Sequence, residues 1–117
     1  MDVRTIAEDR PLSEPERTLI TWLLEHGSEE SQTYVPQLDE VRVVSRCGCG
    51  CPSIDFLEPG STQSRTVADF VGVTPEGLDV GIMLRAAEGK LSYLEVYCYG
   101  ENDGPFSLPD ISTLKPL

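Results

Sequence analysis

The chain has 117 residues, enough for one domain with a single core and too few for two of ordinary size. Apolar residues make up 39% and charged residues 25%, a globular balance that excludes a disordered tail or a membrane bundle. The net charge of −11 opposes nucleic-acid binding, which needs lysine and arginine against phosphate; the excess Asp and Glu solvate the surface or, alternatively, suit a partner with a basic surface.

No apolar run approaches the roughly 20 residues that cross a bilayer. The opening MDVRTIAEDR lacks the basic-then-apolar layout of a signal peptide. A bacterial-type, cytoplasmic protein without membrane contact is the expectation.

Residues 1–11 show no clear period and end in Pro11, so they read as a loosely ordered arm of a single domain spanning 1–117. Ser13 with Glu16 three places on is a capping box, and Pro15 is tolerated in a first turn. Leu19, Ile20, Leu23 and Leu24 then form one apolar stripe at helical spacing, ended by Gly27 with His26 in the last turn. Ser28 caps a shorter second helix, with Glu29 and Glu30 in its first turn and Tyr34, Val35 and Leu38 on its buried side. Pro36 falls inside that span and predicts a kink or a looser turn.

From Val41 the period changes to that of a strand, with a short second candidate at Ile54 to Phe56 and a polar loop, EPGSTQSRT, after it. Val67–Val73, Leu78–Ala86 and Leu91–Tyr99 are three further strands joined by short turns, which predicts an antiparallel meander. Gly77 in TPEG and Gly89 in AAEG each fit the left-handed position of a three-residue loop. That loop at Gly89 pairs Ala86 with Lys90, so Ile82 faces Leu94 and Val80 faces Val96 on one apolar face. A two-residue loop would mix apolar and polar partners and is rejected on that ground. The expected fold is α+β: two N-terminal helices packed on a four- to five-stranded antiparallel meander, closed by the tail from Phe106 to Leu117.

The same register collects Asp79, Met83, Tyr93, Glu95 and Tyr97 on the opposite face, with Met83 opposite Tyr93, Asp79 opposite Tyr97, and Arg85 nearby. Tyrosine and methionine among a few charges is the composition of a recognition surface, for a protein partner or a second copy in a homodimer. Tyrosine also covers ordinary exposed sheet. Catalytic chemistry is thinly represented. The single histidine, His26, sits at a helix end where a capping or surface role is expected, no phosphate-binding glycine loop occurs, and Asp110 after Pro109 is turn chemistry.

The run RCGCGCP places Cys47, Cys49 and Cys51 at every second position. On one extended strand all three thiols would point the same way, their Cα atoms roughly 6.5–7 Å apart, too splayed for an unstrained disulfide between neighbours. Such a row could hold zinc or copper(I), with Cys98 or His26 completing the set, although CxCxC is not the usual CxxC knuckle. Against that stands tight packing of small residues, with Gly48 and Gly50 allowing close backbone approach, and a redox role is a third possibility.

The segments YVPQLDEVRVVSRCGCGCPSIDF, ADFVGVTPEGLDVGIML and LSYLEVYCYGENDGPFSLPDISTL together resemble a family of short, acidic, uncharacterised bacterial proteins with a CGCGCP core and an LxxLEVY…LPD tail. The resemblance covers most of the chain from Ser13 onward and carries no catalytic residue with it. Its tail is similar to those of small domains found beside toxin systems, which implies an immunity- or inhibitor-like binding role. The leading expectation is therefore a non-enzymatic protein-binding module without a cofactor. The alternative is a cysteine-based zinc or copper protein.

Overall fold

The computed structural model describes residues 5–48, 50–57, 63–100 and 105–117. The chain runs β1 (Thr5–Pro11), α1 (Glu14–His26), α2 (Glu29–Gln32), a 3₁₀ turn (Val35–Asp39), β2 (Arg42–Cys47), β3 (Ile54–Asp55), β4 (Arg65–Val73), β5 (Asp79–Ala87), β6 (Lys90–Cys98), a second 3₁₀ turn (Ile111–Thr113) and β7 (Lys115–Pro116). It is an α+β fold with one antiparallel sheet in the order β1-β2-β3-β6-β5-β4-β7. The sheet thus has seven strands rather than four or five, and the helices do not open the chain, because β1 precedes them.

The N-terminal helix forms as its signals dictate. Ser13 Oγ accepts from the Glu16 amide while the Glu16 carboxylate accepts from the Ser13 amide, closing the capping box. Leu19, Ile20, Leu23 and Leu24 are all buried and pack in one cluster with Phe70, Ile82, Leu84, Leu94 and Val96 of the sheet. Trp22 meets Phe70 edge-on, with ring centroids 5.1 Å apart. The second helix is a single turn, and Pro36 lies in the first turn of the 3₁₀ segment that replaces its continuation.

Residues 5–11, expected as part of a loose arm, form an edge strand paired with β2. What holds them is electrostatic as well as backbone pairing. Arg10 makes a two-pronged pair with Glu16 at 2.8 and 3.0 Å and a third bond to Glu8 at 2.9 Å, and Glu8 reaches Arg46 of β2 at 3.2 Å. The capping glutamate therefore also joins strand to helix. Burial works to raise the Glu16 pKa, but the bonds from Arg10 and Ser13 outweigh it and hold the carboxyl below its ordinary value.

The meander is also interrupted. β4, β5 and β6 follow one another as expected, but β3 pairs with β6 instead of β4, so β1-β2-β3 form a second panel joined across a two-residue seam. Ser53 reinforces that seam, its hydroxyl accepting from the Val96 amide at 2.9 Å and lying 3.2 Å from the Val96 carbonyl. The tail crosses the other edge. The Thr113 hydroxyl accepts from Val73 N–H at 2.8 Å, and Leu114, Pro109 and Thr113 close over Gly72 so tightly that a Cβ there would lie within 3.2 Å of all three.

The turn at TPEG is the expected three-residue loop, with Thr74 bonded to Leu78 and Gly77 at φ +88°. The turn at Glu88-Gly89 differs. Ala87 pairs with Lys90 across a two-residue turn whose residues both have positive φ, 52° and 79°. A bulge at Ser92 then restores the alternation, so Leu84 faces Leu94 and Ile82 faces Val96. The apolar residues share one face, but each partner is displaced by two positions from the expected pairing.

Candidate functional site

The face of β4–β6 turned away from α1 is organised in cross-strand rows. Arg85 lies opposite Tyr93, which lies opposite Asp55 of β3. The next row is Asp69–Met83–Glu95, followed by Val71–Gly81–Tyr97. Val73 and Asp79 form the last, where the Asp79 carbonyl accepts from the Tyr99 amide at 2.9 Å. All five expected contact residues, Asp79, Met83, Tyr93, Glu95 and Tyr97, share this face, but their neighbours are corrected by the bulge. Met83 sits opposite Glu95 rather than Tyr93, and Tyr97 sits opposite Gly81 rather than Asp79.

That correction exposes a feature of the face. A Cβ on Gly81 would fall 2.3 Å from Tyr97 Cζ and 2.5 Å from its hydroxyl, so the Tyr97 ring lies across the glycine backbone. Tyr99 meets that ring edge-on, with centroids 5.3 Å apart and hydroxyls 3.3 Å apart. Tyr99 is 47% exposed. The hydrogen bond between the two hydroxyls, then burial, then the charges of Tyr99, Asp69 and Glu95 push the Tyr97 phenol up to about 12. Burial first, with the Glu95 and Asp55 charges adding, pushes Tyr93 up to about 12.

The carboxylates here lack internal cations. Among the described residues, Asp69, Asp79 and Glu95 enter no ion pair. Asp69 Oδ1 is buried without a hydrogen-bond partner, and burial raises its pKa. Arg85 is instead held by Ser64 and Thr66, with three bonds of 2.9 Å. Lys115 of β7, beside Val71, is the other nearby cation.

Sequence reasoning missed Tyr99, Gly81 and the orphaned state of Asp69. The i, i+2 spacing of Tyr93, Glu95, Tyr97 and Tyr99 in YLEVYCY was the available signal for Tyr99, and a glycine inside a strand that for Gly81.

The cysteine run does not form one extended strand. β2 ends at Cys47, whose carbonyl accepts from the Gly50 amide at 3.5 Å, and the chain reverses so that the Cys47 amide bonds the Ser53 carbonyl. Cys47 and Cys51 are half-buried on either side of this turn, and Cys49 lies outside the described residues. Gly50 has φ +94°, and a Cβ there would meet Pro105 at 2.9 Å, the close approach that small residues permit. Cys98 lies on β6 opposite Val80. Among the described residues, no three His, Cys, Asp or Glu side chains gather in a way that could hold a metal ion.

His26 is exposed and stacks on Trp22 at 4.1 Å, its Nδ1 2.9 Å from the Trp22 carbonyl, a helix-end arrangement. A cleft of about 590 Å³ is lined by Gln37, Val44, Phe56, Gly89 and Leu91. Gln37 braces it by bonding both the Gly89 carbonyl and the Leu91 amide. Among the described residues no helix is long and apolar enough to cross a membrane. In comparisons with known proteins, no family model, no curated protein and no solved structure matches the chain.

Proposed function

We propose that the protein is a non-enzymatic, cytoplasmic binding module, immunity- or inhibitor-like, whose tyrosine-bearing sheet face docks a protein with a basic surface. One observation carries this reading: Asp69, Asp79 and Glu95 stand among Tyr93, Met83, Tyr97 and Tyr99 with no cation among the described residues paired to them. Tyrosine and methionine supply contact area at low entropic cost, and carboxylates left without partners supply charge complementarity and a faster association. A second copy is a poor occupant, because two chains of net charge −11 would bring like charges together.

The test uses the proteins encoded beside its gene, each measured for binding to the wild-type chain and to a Tyr93→Ala/Tyr97→Ala variant at low and high salt. The expected result is one basic protein bound by wild type, lost with the variant, and weakened about tenfold or more between 50 and 300 mM salt. Equal binding by the variant, or no basic partner among the neighbours, would refute the proposal. So would a homodimer that Tyr97→Ala dissociates, since the second copy would then own the face.

A further inference from the structure

We infer that the anchor accepted by this face is an arginine side chain of the partner, laid on the Tyr97–Tyr99 shelf between the carboxylates of Asp69 and Glu95. The inference rests on the binding role proposed above and names its chemistry. Asp69 and Glu95 flank Met83 in one row, and the next row holds Tyr97 over Gly81. With no side chain on Gly81, the Tyr97 ring lies low across β5 against the backbone, half-buried, with the more exposed Tyr99 ring beside it.

A planar guanidinium stacks on such a ring, while its fork of N–H donors reaches carboxylates at the edge. The two phenol oxygens, 3.3 Å apart, are further acceptors. The Met83 thioether between the carboxylates offers an apolar floor for the methylene stem.

The electrostatics point the same way. Asp69 Oδ1 is shielded from water and has no hydrogen-bond partner, so part of the desolvation cost of pairing it is already met in the unbound protein. Of the bordering cations, Arg85 is committed to Ser64 and Thr66, and Lys115, in register with Val71, lines one hollow with Tyr99 but enters no ion pair among the described residues. Lysine suits the site less well: a point-like ammonium cannot both stack on the ring and fork between two acceptors.

The probes are acetyl-arginine-amide and acetyl-lysine-amide, titrated into the ¹⁵N-labelled full chain at low salt. The expected result is a saturable shift of the Gly81 and Tyr97 amides with the arginine probe, and a response about threefold or more weaker with the lysine probe. Asp69→Asn and Glu95→Gln should each weaken the arginine probe about threefold or more, and so should Tyr99→Leu, at an exposed position. Absence of a saturable shift at these amides, equal response to lysine, or indifference to all three substitutions would overturn the inference. The two ideas fail separately. A basic partner that needs Tyr93 and Tyr97 while the arginine probe stays silent leaves the binding role and removes the anchor. Arginine binding without any such partner does the reverse.

Discussion

Replacing Gly81 by alanine adds one methyl group where the Tyr97 ring now rests. The backbone tolerates the change, because Gly81 is not among the residues of positive φ. Alanine in a strand interior is better than glycine by roughly 0.5–1 kcal/mol. Against this, the new Cβ would lie 2.3 Å from Tyr97 Cζ and 2.7 Å from Cε2, so the ring must swing away and lose its edge contact with Tyr99. An aromatic pair of that kind contributes about 0.5–1.5 kcal/mol. The two effects oppose, and the net change in stability should stay within about 1 kcal/mol. The shelf itself should be gone. Gly72→Ala is the contrast: its Cβ would press Leu114 at 2.8 Å and Pro109 at 3.1 Å in a tail that hydrogen bonds hold down, at a cost of about 1–3 kcal/mol. Urea unfolding of both variants gives the stabilities, and cross-relaxation between the Tyr97 and Tyr99 rings reports the shelf. A loss above about 2 kcal/mol in G81A, or rings still in contact, would refute the reasoning.

Other outcomes follow from single groups. Thr113→Val deletes the hydroxyl that accepts from Val73 N–H at 2.8 Å and donates to the Asp110 carbonyl at 2.6 Å. It should cost about 1–3 kcal/mol and selectively speed hydrogen exchange at the Val73 amide. Because the folded-state pKa of Glu16 lies below its ordinary 4.5, its stabilisation is complete above that pH and is lost as acid carries the pH down through the folded value. Glu16→Gln should be less stable at pH 7 and lose less on going to pH 3, and equal acid slopes would exclude the pair with Arg10 as a source of acid sensitivity. The raised Tyr93 pKa acts at the other extreme. Its contribution is intact below 10.0 and lost as the pH rises towards about 12, so Tyr93→Phe should flatten the alkaline fall in stability and remove one late-ionising phenol from the ultraviolet titration.

Local chemistry was legible in the sequence where neighbours along the chain decide the structure. Ser13, Glu16 and Pro15 announced the first helix, its four-residue stripe went to the core, and Pro75 with Gly77 announced their loop. Side-chain alternation assigned Asp79, Met83, Tyr93, Glu95 and Tyr97 to a common face. It could not assign their partners, because a two-residue turn followed by a bulge gives the same facing as a three-residue loop. The bulged residue, Ser92, carries no local mark, and its carbonyl accepts at 2.9 Å from the amide of Phe56, the residue that follows β3. The strand at Thr5–Pro11 was hidden for a similar reason. Its order comes from pairing with β2 and from the Arg10–Glu16 contact, neither of which leaves a period in TIAEDRP.

The two-residue seam between β3 and β6 also sets an order of events during synthesis. β1, β2 and β3 leave the ribosome first, yet the strand that completes their panel is made some forty positions later, as the 43-residue separation of Ser53 and Val96 shows. β4, β5 and β6 need only short turns to pair, so their hairpins close quickly once made. The early panel must wait with the unpaired edge of β3 exposed, and the cysteine-glycine turn stands beside that waiting edge. Arrival of β6 covers that edge and ends the interval.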